Sequence, residues 1–138
     1  MAIADSNPAP NAAAAEPALR ALVADDDADL LELIGLLLRR EGFVVVEASN
    51  GNDVLGLADD DSEANLLITD VQMPGISGLE VLAQMRLHHP SVPVILMTSF
   101  AAEELCDRAE RDGAAAVLKK PFSMGALREV VARHARRD

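Results

Sequence analysis

LLITDVQMPG, residues 66–75, joins an apolar run to a carboxylate at Asp70 and to a Pro-Gly turn within five further residues. An apolar run of this length bounded by turn signals is typical of a strand buried on both faces of a parallel sheet. Asp70 then lies at the carboxyl end of the strand, where open α/β sheets carry their chemistry. Asp also commonly begins a turn, so this stretch alone leaves Asp70 as a turn residue or a functional carboxylate.

Composition limits the class of protein. A chain of 138 residues is the size of one domain with a substantial core. The formal net charge of −11 disfavours direct binding of nucleic acid or of an anionic membrane. The chain has one cysteine, no apolar run long enough to span a bilayer and no signal-peptide pattern, so we expect a cytoplasmic protein.

The order of apolar runs and caps predicts the domain organisation. Residues 1–18 are rich in Ala and Pro without apolar periodicity and are predicted to be a disordered leader or linker, followed by one domain at 19–138. Five strands alternate with five helices, which predicts a doubly wound α/β fold with a single parallel sheet. The predicted strands are 19–24, 43–47, 65–70, 94–98 and 115–119, and the predicted helices are 28–41, 53–59, 78–88, 101–112 and 124–136.

Polar residues end or directly follow four predicted strands. They are Asp25 and Asp26 after the first strand, Asp70 at the end of the third, Thr98 at the end of the fourth and Lys120 after the fifth. Each has an ordinary explanation alone, as a cap, a turn residue, a strand residue or a solvated lysine. Together they would place three carboxylates, a hydroxyl and an ammonium at one edge of the sheet. Carboxylate oxygens suit Mg²⁺, and the hydroxyl and ammonium suit the oxygens of a phosphoryl group. An Asp can then serve as the nucleophile that becomes an aspartyl phosphate.

Four motifs in this order resemble the receiver domain of response regulators in two-component signalling, over about residues 19–136. They are LVADD at 22–26, LLITDVQMPGISGLE at 66–80, VILMTS at 94–99 and LKKPFS at 118–123. The resemblance implies a flavodoxin-like fold with five helices and the strand order 2-1-3-4-5. It also implies a signalling phosphoacceptor rather than an enzyme.

The resemblance assigns a role to each residue of the predicted site. Asp70 would accept a phosphoryl group from a histidine kinase or a histidine phosphotransfer protein, in the presence of Mg²⁺. The Lys120–Pro121 bond is expected to be cis. The predicted metal ligands are Asp26 and Asp70 directly, Asp25 through water and Gln72 through its main-chain carbonyl, while Thr98 and Lys120 would contact the phosphoryl oxygens.

The resemblance also implies that phosphorylation is transmitted to a surface formed by the fourth helix, fifth strand and fifth helix. The family commonly has an aromatic residue three positions before the lysine, and this chain has Val117 there. Gln72 and Phe100 occupy positions that tune the phosphoryl lifetime, and a bulky Phe100 is hypothesised to shield the acyl phosphate from water. The signal would reach a downstream protein or an output domain. The chain is then a stand-alone regulator or a fragment of a larger transcription factor or hybrid kinase.

Two alternatives remain from other classes. An Asp-nucleophile phosphatase of the haloacid-dehalogenase type normally has a second Asp two residues after the nucleophile, where this chain has Gln72. A flavodoxin-like protein that binds a nucleotide or flavin would need a Gly-rich phosphate loop or aromatic residues, and neither is evident.

Overall fold

The computed structural model describes residues 18–61, 63–100 and 102–137, so almost all of the predicted leader at 1–18 lies outside the described residues. Strands and helices alternate through the described part of the chain. The strands are β1 (Leu19–Ala24), β2 (Phe43–Ala48), β3 (Leu66–Asp70), β4 (Val94–Thr98) and β5 (Ala116–Lys119). The helices are α1 (Ala28–Arg40), α2 (Gly51–Asp60), α3 (Gly78–His88), α4 (Glu103–Arg111) and α5 (Met124–His134).

All five strands are parallel and lie in the order β2-β1-β3-β4-β5, which confirms the predicted fold. The register aligns the carboxyl ends of the central strands. Asp70 of β3 pairs with Met97 of β4, and Thr98 pairs with Lys119 of β5. The residues that end or follow these strands therefore lie side by side along one edge of the sheet.

The core is divided between the two faces of the sheet because successive strand residues point to opposite sides. Leu67 and Leu96 contribute to the cluster packed under α2, α3 and α4, and their neighbours Ile68 and Ile95 contribute to the cluster under α1 and α5. Every residue of β3 and β4 is buried. The two central strands are therefore covered on both faces of the sheet.

The helix starts explain why the chain turns where it does. The Asp27 side chain accepts from the first backbone N–H groups of α1, and Ser77 and Glu80 form a reciprocal capping box at α3. Helix α2 begins at Gly51, two residues before the predicted start. The reason is that Asn50 is its N-cap, with Oδ1 accepting from the Asp53 N–H at 2.8 Å.

Within the described residues, no helix is both long enough and apolar enough to cross a membrane.

Candidate functional site

Three carboxylates meet at the carboxyl edge of the sheet. Asp25 follows β1 and is fully buried, Asp26 beside it is exposed, and Asp70 ends β3 with only 5% of its surface accessible. One carboxylate oxygen from each of the three lies within 4.8 Å of the others. The structure thus brings together all three of the acidic residues that the sequence predicted for the site.

Lys120 supplies the positive charge at this edge. Its Nζ lies 2.8 Å from Asp25 Oδ2 and 3.2 Å from Asp70 Oδ2. Burial lowers the pKa of this ammonium, but the two carboxylates outweigh burial and the pKa is raised overall. The Lys120–Pro121 peptide bond is cis, as predicted.

Asp70 carries a charge that its surroundings only partly stabilise. Burial, followed by repulsion from Asp25, raises the pKa of Asp70, and attraction to Lys120 only partly offsets this. Asp70 Oδ1 is buried and has no hydrogen-bond partner within the described residues. A buried carboxylate oxygen without a partner is costly, so this atom is suited to contact with a cation.

The acidic cluster fits Mg²⁺ by its donor chemistry. Mg²⁺ prefers oxygen ligands and is commonly held by one or two carboxylates together with water and phosphate oxygens. Asp26 is exposed to solvent, and Asp70 Oδ1 has no hydrogen-bond partner in the described part of the chain, so both carboxylates have oxygen atoms that can bind a cation. The predicted role of the Gln72 main-chain carbonyl stays a prediction.

Thr98 ends β4 one residue beyond the partner of Asp70 and is fully buried. Its Oγ1 accepts a hydrogen bond from the Phe100 N–H at 3.0 Å. The same oxygen lies 3.3 Å from Gln72 Oε1 and 3.3 Å from the Phe100 carbonyl oxygen, and among the described residues these two atoms are the acceptors within reach of its proton. The predicted phosphoryl-binding hydroxyl is therefore present at the edge and is bonded to its neighbouring loops.

Gly78 was not singled out from the sequence as part of the site, yet it packs directly against Asp70. A Cβ at Gly78 would clash with the Asp70 carbonyl oxygen and would lie 2.8 Å from Val71 Cα. The Gly78 N–H donates to the Val71 carbonyl at 2.8 Å. A glycine immediately after a helix cap is the only sequence signal that could have suggested this close approach.

Val117, which stands where an aromatic residue was expected, and Phe100, which was predicted to tune the phosphoryl lifetime, both lie among the described residues. Val117 pairs with Leu96 on β4 and is half-buried against the core cluster under α2, α3 and α4. Phe100 is 67% exposed. The hypothesis that Phe100 shields the acyl phosphate from water stays a prediction.

An apolar groove of about 390 Å³ opens beside Lys120, between α1 and the segment that follows β5. Leu33 and Leu36 of α1 are exposed by 46% and 54%, and Leu33 lines the groove. The other residues that line it are Asp27, Leu30, Ser99, Lys120, Pro121, Phe122 and Met124.

Comparison with protein families gives a match to the response regulator receiver domain over residues 21–132. The response regulator protein FleR of Pseudomonas aeruginosa is 40% identical over 122 residues, which is 86% of this chain and 25% of FleR. The transcriptional regulatory protein PdtaR of Mycobacterium tuberculosis is 34% identical over 88% of this chain and 58% of its own length. This chain also spans 24% of the regulatory protein AtoC of Escherichia coli, so it corresponds to about a quarter of several relatives.

Solved structures show the same architecture. A response regulator receiver domain protein from Clostridium thermocellum matches with a TM-score of 0.79 and 27% identity, over 84% of this chain and 93% of that one. The response regulator protein TrrA of Thermotoga maritima, in complex with Mg²⁺ and a beryllium fluoride, matches with a TM-score of 0.75 and 31% identity. That match covers 83% of this chain and 97% of TrrA.

Proposed function

This chain belongs to the response regulator receiver domains of two-component signalling, and we propose that Asp70 is its phosphoacceptor. Receiver domains are signalling phosphoacceptors that bind Mg²⁺ in an acidic pocket and interact with histidine kinases and output domains. One observation carries the assignment to Asp70. It is buried at the end of β3, with one oxygen 3.2 Å from Lys120 Nζ and the other without a hydrogen-bond partner among the residues that the structure describes.

In the proposed reaction, a carboxylate oxygen of Asp70 attacks the phosphorus of a phosphohistidine on the partner protein. The P–N bond breaks as the O–P bond forms, and the histidine nitrogen leaves with the electron pair. Lys120 neutralises charge on the phosphoryl oxygens, and the Thr98 hydroxyl donates to one of them.

Mg²⁺, when bound, neutralises the charge of the carboxylates and of the incoming phosphoryl oxygens. We propose that Asp26 and Asp70 bind it directly, Asp25 through water and Gln72 through its main-chain carbonyl. The proximity of three carboxylate oxygens within 4.8 Å supports this assignment.

Phosphorylation would add about −1.5 to −2 charges and three acceptor oxygens at Asp70. We propose that this charge draws Lys120 and Thr98 towards it and so changes the surface formed by α4, β5 and α5. The downstream target is proposed to be a separate protein, for a stand-alone regulator, or an output domain, for a fragment of a larger transcription factor or hybrid kinase. We also propose that the chain forms one domain at 19–138, preceded by a leader or linker at 1–18. Its proposed location is cytoplasmic.

The phosphoryl donor is proposed to dock on the apolar face of α1. Leu33 and Leu36 are exposed there, and the groove lined by Leu33 leads to Lys120, which contacts Asp70. Leu33→Ser and Leu36→Ser should slow transfer from any histidine kinase or phosphotransfer protein that phosphorylates the wild-type chain. Their rates with acetyl phosphate, which needs no docking surface, should stay unchanged.

The proposal is tested by incubation with Mg²⁺ and acetyl phosphate, followed by intact mass measurement. We expect one acid-stable, base-labile phosphate on the wild-type chain and none on Asp70→Asn. Asp107→Asn, which changes an exposed aspartate on α4, should retain the label. If Asp70→Asn is still labelled, Asp70 is not the phosphoacceptor. Rapid turnover of unrelated phosphate esters would instead favour the haloacid-dehalogenase-type phosphatase.

A further inference from the structure

The Thr98 hydroxyl is already committed to neighbouring groups. It accepts from the Phe100 N–H at 3.0 Å, and its single proton has two acceptors, Gln72 Oε1 and the Phe100 carbonyl oxygen, each at 3.3 Å. A hydroxyl has only one proton to donate. Thr98 therefore cannot donate to a phosphoryl oxygen while it donates to Gln72.

The geometry points to Gln72 as a positioning residue that holds the Thr98 hydroxyl in its unphosphorylated arrangement and opposes its donation to the phosphoryl group. This inference rests on the proposed function of Asp70. Gln72 lies in the loop after β3 and Thr98 ends β4, so the bond ties the phosphoacceptor loop to the neighbouring strand. When Asp70 is phosphorylated, the Thr98 hydroxyl donates to a phosphoryl oxygen instead of to Gln72. The Gln72 side chain then loses its hydrogen bond to Thr98.

The bond is expected to act on an equilibrium. The hydrogen bond between Thr98 and Gln72 is present in the free protein and is broken in the phosphorylated protein. It therefore stabilises the free state and lowers the affinity for a phosphoryl group or a phosphoryl mimic. One neutral hydrogen bond corresponds to about a twofold to tenfold change in affinity, and the 3.3 Å distance, long for an O–H···O bond, favours the lower part of that range. Gln72→Met removes the acceptor, keeps a side chain of similar length and leaves the main-chain carbonyl in place.

The experiment measures the affinity of the chain for beryllofluoride in the presence of Mg²⁺, followed by ¹H–¹⁵N NMR because the chain contains no Trp or Tyr. We expect Gln72→Met to bind about twofold to tenfold more tightly than wild type. Gln84→Met makes the same change on the exposed side of α3 and should bind like wild type. In the ligand-free state, Gln72→Met should also shift the Phe100 amide resonance towards its ligand-bound position.

A double-mutant cycle shows whether Gln72 acts through Thr98. Thr98→Val removes the hydroxyl and keeps the shape of the side chain, so adding Gln72→Met in that background should leave the affinity unchanged. An equal gain in both backgrounds would mean that Gln72 acts on the ligand directly, and this overturns the inference. An unchanged affinity of the Gln72→Met single variant also overturns the inference about Gln72. In that case, normal binding of beryllofluoride by wild type still supports the proposal that Asp70 is the phosphoacceptor. Absence of beryllofluoride binding to wild type overturns both.

Discussion

Gly78 packs against the main-chain carbonyl of Asp70 so closely that no side chain fits between them. An added Cβ would also lie 2.8 Å from Val71 Cα, and the three atoms nearest to it all belong to the backbone. The first turn of α3 is thereby fixed against the residue proposed to accept the phosphoryl group. The relationship makes Gly78 part of the support of the site, although it carries no functional group.

We therefore expect Gly78→Ala to destabilise the protein by about 1–3 kcal/mol or more, because backbone cannot move aside as a flexible side chain can. Urea unfolding measures the loss. The displaced Asp70 should also accept phosphate from acetyl phosphate more slowly.

The matched control is Gly56→Ala in α2, where an added Cβ meets no atom of the described residues within 4 Å. A glycine in a helix interior costs about 0.5–1 kcal/mol relative to alanine, so this variant should be more stable than wild type. Equal stability changes in the two variants would show that the contact with Asp70 is not the cause.

Asp70→Asn should raise the free energy of unfolding at neutral pH, measured by urea unfolding without divalent cations. Burial and Asp25 raise the pKa of Asp70 in the folded state, so the folded protein binds this proton more tightly than the unfolded chain does. The ionised carboxylate therefore reduces stability above its raised folded pKa, and the penalty fades as pH falls through that pKa.

The difference between Asp70→Asn and wild type should accordingly shrink when the same unfolding curves are measured near pH 4. Asp107→Asn, an exposed aspartate on α4, should be close to wild type at both pH values. A stability gain in Asp70→Asn that grows on acidification would contradict the proposed cause.

Mg²⁺ should raise the free energy of unfolding, because it would bind the clustered carboxylates of the folded chain and not the unfolded one. At a concentration about 100 times its dissociation constant, the gain is about 2.7 kcal/mol. Thermal unfolding with Mg²⁺, and again after a chelator is added, measures it. Asp26→Asn should lose most of the effect without disturbing the fold, since Asp26 is exposed. Should Asp26→Asn respond to Mg²⁺ as fully as wild type does, Asp26 is not a ligand.

The fold and the acidic cluster could be predicted because both follow from local pattern. Buried strands ending on polar residues fix where a parallel sheet places its functional groups, and Asp25, Asp70 and Lys120 all lie where this rule puts them. Burial within a strand was less predictable. The run FVVVE looks as buried as the central strands, yet Val44 and Val46 are 48% and 37% exposed because β2 forms an edge of the sheet.

Contacts between loops could not be predicted from the sequence. The bond between Thr98 and Gln72 joins residues 26 positions apart, and the approach of Gly78 to Asp70 depends on the path of the backbone. Neither contact leaves a periodic pattern in the sequence. Both depend on side-chain and backbone placement that is decided only when the strands are assembled.

Asn65 ties the residues after α5 to the amino end of the sheet, opposite the acidic cluster. It is 7% exposed. Its Oδ1 accepts from the Arg20 N–H at 2.8 Å, and its Nδ2 donates to the Arg136 carbonyl at 2.7 Å. Backbone bonds from Asn65 to Arg20 and from Arg136 to Asn65 complete the connection.

We expect Asn65→Ala to cost about 1–3 kcal/mol, because it leaves the Arg20 N–H without its side-chain acceptor in a part-buried position. Urea unfolding measures the total, and hydrogen exchange should show faster exchange of the Arg136 amide. Asn52→Ala, an exposed asparagine in the first turn of α2, should change stability by less than about 0.5 kcal/mol. Unchanged exchange at Arg136 in Asn65→Ala would show that the backbone bonds alone hold this segment.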